Sequence, residues 1–231
     1  MSKKVIIAVD AMGGEGSPKK IIEGIKLSLK SNKNTFFNLF GDSNLINKEI
    51  SKNQSIKQYV KIFDAKDSIK DDESPLNAAK KGKDTSMWKA IESQKKGISN
   101  ISLSAGNTGA LLVISRLILN TIEGISKPAL AGLWPNQNGM NVVLDLGANI
   151  ECNEKNLIDF SSMGSVLFKL LFDNENPKVA LLNIGLEENK GNEVIKKAFQ
   201  ILKKKNTSNF NFLGYIEGNH IMDGNADVII T

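Results

Sequence analysis

Four loops in this sequence draw on one small vocabulary. They read Asp10-Ala-Met-Gly-Gly-Glu-Gly-Ser-Pro, Ser104-Ala-Gly-Asn-Thr-Gly-Ala, Asp145-Leu-Gly-Ala-Asn, and Asn183-Ile-Gly185 continuing to Lys190-Gly-Asn192-Glu. Each leaves a short apolar run of β type and leads into a helical pattern. Glycine lets backbone N–H groups come close to a ligand and turns the chain through positive φ. A helix that starts directly afterwards adds unpaired N–H groups and the positive end of its dipole, which favours an anion by ~0.3–1 kcal/mol at an exposed site. The chemistry such loops offer is the cradling of an oxyanion. One Gly-rich turn after a strand is equally well a structural joint; several on one sheet edge point to a ligand.

Other chemistries find little support. The phosphate-binding pattern GxxxxGK(S/T) does not occur, and Gly14-Glu15-Gly16 is followed by Lys19 where a dinucleotide fingerprint needs its third glycine. His220 is the only histidine and lies in the polar stretch EGNHIMDGN, where it reads as a surface residue. Cys152, the only cysteine, has no histidine or cysteine near it in sequence and reads as passive. No CxxC, HExxH or carboxylate cluster suggests a metal, so neither metal nor cofactor is expected. What remains suits a phosphate that is itself the nucleophile, with the protein supplying orientation and charge stabilisation.

The bulk properties agree. The 231 residues carry a formal net charge of +5, contributed almost wholly by lysine, since Arg116 is the only arginine. Nucleic-acid binders rely on arginine forks, so the excess reads as a mildly basic surface able to attract an acidic partner. A lone cysteine forms no internal disulfide and fits a reducing compartment. The apolar run in MSKKVIIAVD breaks at Asp10, too early for a secretory signal. Residues 110–119 are too short for the ~18 apolar residues of a membrane span and contain Arg116. The expectation is a cytoplasmic chain.

The loops need strands and helices to hold them. Apolar runs at 4–9, 35–41, 59–65, 101–104, 128–134, 141–146, 178–184, 209–216 and 226–231 read as strands. Helical patterns occupy 44–52, 85–96, 107–120, 154–172 and 189–204, and another comes after Pro18 with Ile21, Ile22, Ile25, Leu27 and Leu29 on its apolar face. In 154–172 the apolar side is read as Leu157, Phe160, Met163, Leu167, Leu170 and Leu171. Residues 66–84 read as a polar loop leading into a helix. The alternation predicts one α/β domain over 1–231 with a mostly parallel sheet and helices on both faces. Loops after parallel strands share one sheet edge, where such sheets bind ligands.

The loops also match a family in order and spacing. VIIAVDAMGGEGSP, SLSAGNTGALL, KPAL, VVLDLGANIECNEKNLIDFSSMGS, VALLNIGLEENKGNE and NFLGYIEGN…ADVIIT resemble the PlsX-type phosphate acyltransferases over the whole chain. The resemblance implies a three-layer αβα sandwich, isocitrate dehydrogenase-like or phosphotransacetylase-like. It implies transfer of a long-chain acyl group from acyl-carrier protein to inorganic phosphate, giving acyl phosphate for phospholipid synthesis. It also implies a homodimer that is soluble yet able to associate peripherally with the membrane. On this resemblance Lys190 is the cation that holds phosphate, and Asn192 orients it. Asn107 and Thr108 offer an amide and a hydroxyl beside backbone kept close by Gly106 and Gly109. Gly13, Gly14, Gly147, Asn149 and Gly185 complete the phosphate and substrate loops, while Asp10 and Asp145 organise them. Three departures stand out. Glu15 replaces a usual Asp, Asn219 and His220 replace an Arg-Asp pair, and relatives continue beyond the position of Thr231 into a DGFxGN segment and further helices. The expectation is a chain lacking its C-terminal portion. The alternatives are a phosphotransacetylase-like enzyme acting on acyl phosphate and coenzyme A, or an inactive truncated remnant.

Overall fold

The computed structural model describes residues 4–204 and 209–231; residues 1–3 of the MSKKVIIAVD stretch lie outside the described residues. The chain forms two compact units, Met1–Asn120 and Thr121–Thr231. Each has its own sheet.

In the first unit, β1 (Val5–Asp10), β2 (Thr35–Gly41), β3 (Val60–Asp64) and β4 (Ile101–Leu103) form a wholly parallel sheet in the order β3-β2-β1-β4. Alternate side chains point to opposite faces of a strand. Val9, Phe37 and Leu39 therefore pack against α1 (Lys19–Ser31) and α2 (Ser43–Ser51), while Ala8 and Phe40 pack against Ala90 of α4 (Ser86–Lys95). Helices thus cover both faces. Beside the sheet, α3 (Pro75–Lys81), α4 and α5 (Thr108–Leu119) share a small core of Ala78, Met87, Ile91, Ala110 and Ile114. In α1 the buried stripe is Ile22, Ile25 and Leu29. Leu27 is 61% exposed, because at 100° per residue it stands on the far side of that stripe.

In the second unit the order is β5-β6-β9-β7-β8. Its strands are β5 (Gly132–Asn136), β6 (Gly139–Leu144), β7 (Lys178–Leu182), β8 (Asn211–Ile216) and β9 (Val228–Ile230). Only the β5–β6 hairpin is antiparallel, and β9 inserts between β6 and β7, parallel to both. Val142, Leu144, Val179, Leu181, Val228 and Ile230 face α6 (Glu154–Phe172) and α7 (Glu193–Lys204). The other face, with Val143, Ala180 and Ile229, packs against Trp134 and Ile221, the latter in a 3-10 turn at Gly218–Asp223.

Sequence pattern and structure diverge at identifiable points. α6 has the expected bounds, secured by a reciprocal Asn153–Asn156 capping box. Its buried stripe, however, runs through Leu157, Phe160, Ser161, Gly164 and Phe168, leaving Leu170 79% exposed. A Cβ on Gly164 would come within 2.5 Å of Val228 and 2.8 Å of Leu144, so the helix lies down on β9 and β6 through its smallest residue. The strand expected at 128–134 begins at Gly132, because residues 128–130 are spent on the Asp145 loop. The helix expected from 189 starts at Glu193, since Gly191 turns through φ +87° and Asn192 caps the first turn of α7.

Candidate active site

In the first unit the loops after β1 and β4 are locked together. Asp10 ends β1 and is 2% exposed. Its Oδ1 accepts from Ser86 Oγ at 2.6 Å and from the Met12 N–H at 3.2 Å; its Oδ2 accepts from Ser104 Oγ at 2.8 Å. While its O–H donates to Asp10, the Ser104 hydroxyl oxygen accepts from the Gly106 N–H at 3.1 Å. Gly13 sits in the angle of this network. A Cβ there would lie 2.6 Å from Asp10 Oδ2 and 2.7 Å from Ser104 Oγ, so only glycine fits. Gly14 turns at φ +85° against the Ala105 carbonyl, and Gly106 lies against the Gly13 backbone.

Asn107 is the N-cap of α5: its Oδ1 accepts from the Ala110 N–H at 2.9 Å. Its Nδ2 reaches the other way, to the Glu73 carbonyl at 2.7 Å and the Asp71 carbonyl at 3.1 Å, tying down the loop ahead of α3. The amide read as a ligand donor is thus engaged by the chain itself. The N–H groups of Thr108 and Gly109 begin the helix, where no intrahelical acceptor exists. Gly109 has a packing reason as well, since a Cβ there would meet the Pro75 ring at 2.7 Å.

In the second unit the hub is Asp145, 6% exposed, immediately after β6. Its Oδ1 accepts from the N–H groups of Leu130 (2.8 Å) and Ala148 (3.1 Å), and its Oδ2 from the backbone and side-chain amides of Asn149, both at 2.8 Å. Asn149 Nδ2 also reaches the Pro128 carbonyl at 2.7 Å. Gly147 makes the turn at φ +86°. Four donors occupy the two carboxylate oxygens, so Asp145 shapes the loop. Below it opens a cleft of about 630 Å³, lined among others by Asp145, Gly147, Asn149, Cys152, Asn192 and Thr231. Burial pushes the Cys152 thiol above its ordinary range; the Asp145 charge adds to this and Lys127 opposes it.

Across this cleft, Asn192 accepts the Ile195 N–H at 2.9 Å and caps α7, its side-chain oxygen serving the helix start. Lys190 stands two residues ahead, exposed on the loop that leads to Asn192. Gly185 is buried, with room for a Cβ taken by Glu187 and Lys190. Glycine loops, capped helix starts and an exposed ammonium form an inventory for holding an oxyanion. Among the described residues no group of three or more His, Cys, Asp or Glu could hold a metal ion.

A family model described as "Fatty acid synthesis protein" matches residues 5–231. A phosphate acyltransferase of Pelagibacter ubique is 59% identical over 230 residues, covering all of this chain and 68% of that protein. A phosphate acyltransferase of Rhodopseudomonas palustris is 43% identical over 232 residues, covering all of this chain and 66% of its own length. The chain belongs to the phosphate acyltransferase family. It spans about two thirds of the length of these curated relatives. Its fold is phosphotransacetylase-like. The phosphotransacetylase of Streptococcus pyogenes superposes with a TM-score of 0.69 at 18% identity, covering all of this chain and 78% of that one. EutD phosphotransacetylase from Staphylococcus aureus gives 0.65 at 16%, covering 98% and 77%.

Within this chain, the first unit brings together Asp10, Gly13, Gly14 and Gly106, and carries Asn107, Thr108 and Gly109 directly after them. The second gathers Asp145, Gly147, Asn149 and Asn192 on one cleft, with Gly185 and Lys190 on the neighbouring loop. Sequence reasoning passed over Ser86 and Asn183. Ser86 carries no local signal, since its partner Asp10 lies 76 residues away. Asn183 stands openly at the head of its loop. His220 is exposed and paired to Asp223 at 2.7 Å, as a surface residue should be.

Proposed function

We propose that this chain transfers a long-chain fatty acyl group from acyl-carrier protein to inorganic phosphate, giving acyl phosphate for phospholipid synthesis. A phosphate oxygen attacks the thioester carbonyl, the tetrahedral oxyanion collapses, and the carrier's thiolate departs. The phosphate is both substrate and nucleophile, so the protein's task is to hold it, orient it and balance its charge. The observation that carries the reading is the cleft where the Asp145–Asn149 turn meets the capped start of α7, with Lys190 on the adjoining loop. In this reading Lys190 supplies the positive charge, the turn's backbone supplies donors, and Asp145 keeps the turn in shape. The loops around Asp10 and Asn107 serve the substrate through Thr108, Gly109 and the glycine backbone.

The same proposal includes both units working as one catalytic domain, pairing of two copies, a cytoplasmic location and peripheral contact with the membrane. No helix among the described residues is long and apolar enough to cross a membrane.

The test is direct. The chain is incubated with acyl-carrier protein loaded with a long-chain acyl group, phosphate is added, and acyl phosphate is measured in the absence of coenzyme A. Product formation is expected; turnover only with acyl-coenzyme A as donor favours the phosphotransacetylase-like alternative, and none with either donor favours an inactive form. Lys190→Ala should lower turnover by ~10²–10³-fold while the melting temperature holds. A near-normal rate would remove Lys190 from the mechanism.

A further inference from the structure

One buried amide holds the lysine loop closed. Asn183 comes directly after β7 and is 7% exposed. Its backbone N–H donates to the Ile216 carbonyl of β8 at 2.9 Å, so the residue is fixed to the sheet. Its side-chain Nδ2 donates to the Gly185 carbonyl at 3.1 Å and the Lys190 carbonyl at 3.2 Å. The two protons of a single NH₂ group thus tie together the two ends of the 185–190 segment. Gly191 makes this possible: it turns at φ +87°, and a Cβ there would run into Asn183 Oδ1. Among the described residues that buried oxygen has no hydrogen-bond partner. An apolar residue of the same shape would spare that oxygen but leave the Gly185 and Lys190 carbonyls without their donor. What the amide uniquely supplies is a pair of donors aimed at two carbonyls of a loop.

We infer that Asn183 is the positioning residue for Lys190. It sets the path of the loop, and with it where the lysine stem leaves the backbone. This rests on the role proposed for Lys190 above. Asn183 touches no reacting atom; it acts through the loop.

The experiment uses Asn183→Leu, Asn183→Asp and Gly191→Ala in the full chain, beside Lys190→Ala. Two measurements are made on each: amide hydrogen exchange of residues 185–191, and steady-state kinetics with phosphate and acyl-carrier substrate varied separately. Asn183→Leu should speed exchange in 185–191 without speeding it in β7 or β8. It should raise the KM for phosphate by ~10–100-fold, the scale of an ångström-level misplacement, and leave the KM for the acyl donor unchanged. Asn183→Asp, which sets an oxygen against two carbonyls, should do the same or worse, and Gly191→Ala should reproduce the pattern from the other side of the contact. Unchanged loop exchange in the Asn183 variants overturns the inference. So does a loosened loop with wild-type kinetics, or an equal rise in both KM values. If Asn183→Leu does not fold, Gly191→Ala decides by the same criteria. Full activity in Lys190→Ala instead sinks the role of the lysine, and the exchange data still report whether Asn183 closes the loop.

Discussion

Asp10 and Asp145 occupy matching places, each at the carboxyl end of a parallel strand and each nearly out of solvent. They are wired in opposite ways. Asp10 draws mainly on hydroxyls from distant parts of the first unit, Ser86 and Ser104, which are 76 and 94 residues away. Asp145 draws on amides, three from the turn immediately after it and one from Leu130. The first carboxylate is a tertiary staple and the second a template for its own loop. A hydroxyl can rotate to another acceptor when its partner is lost, but a backbone N–H cannot turn without moving the chain. The same residue type in the same place therefore carries different weight.

The sharpest way to break the comparison is to remove each carboxylate. Asp145→Ala takes the acceptor from four amide donors of a half-buried turn and should cost about 3 kcal/mol or more of stability, with acyl transfer reduced below detection. Asp10→Ala should cost about 2 kcal/mol, because Ser86 and Ser104 can reorient. Denaturant unfolding of the two variants decides it, and an equal or reversed order would show that hydroxyl and amide partners are equivalent here. The glycines sharpen the same contrast. Gly13 is walled in by Asp10 and Ser104, whereas Gly147 faces open space and is constrained only by its positive φ. Gly147→Ala should cost about 1–2 kcal/mol, the left-handed backbone penalty. Gly13→Ala should exceed that, because the staple must open to admit a methyl group. Thermal melts of both would show it.

The smallest effect concerns Cys152, which shares the cleft with Asp145. Burial raises its thiol first; Lys127 opposes this and the nearby Asp145 carboxylate adds to it. A thiol raised in the folded state contributes stability below its unfolded pKa and loses it as pH rises through the folded one. Alkylation of the folded chain should therefore require a higher pH than alkylation of the unfolded chain. Asp145→Asn should bring the profile partway back. A profile identical to that of the unfolded chain would mean that the cleft does not shelter this sulfur.

Much of the fold was legible in the residues. β–α alternation gave the strands and helices, because period-2 and period-3.6 patterns report which faces are buried. The polar ends of strands gave the loops, and both Asp10 and Asp145 accept several hydrogen bonds there. What escaped was set by contacts remote in sequence. Nothing near Ser86 announces Asp10, and nothing near Leu130 announces Asp145. Gly164 looks like a weak point of α6 until the sheet beneath it is known. Leu170 looks like core by composition and is not, since composition does not say which side of the helix has a neighbour. Asn107, read as an amide offered to the ligand, and Asn192, read as orienting Lys190, also cap helices, and sequence alone does not separate these uses, because the residues that cap helices are also residues that bind anions.

The placement of β9 has a mechanical corollary. Between β6 and β7, which are consecutive parallel strands along the chain, the sheet admits a segment that comes much later, and β8 flanks β7 on the other side. A protease nick in the exposed 186–190 stretch would sort β5, β6 and β7 into one fragment and β8 and β9 into the other. From β6 outward the two fragments would then alternate like the fingers of clasped hands, so cleavage there would break the backbone without freeing either half.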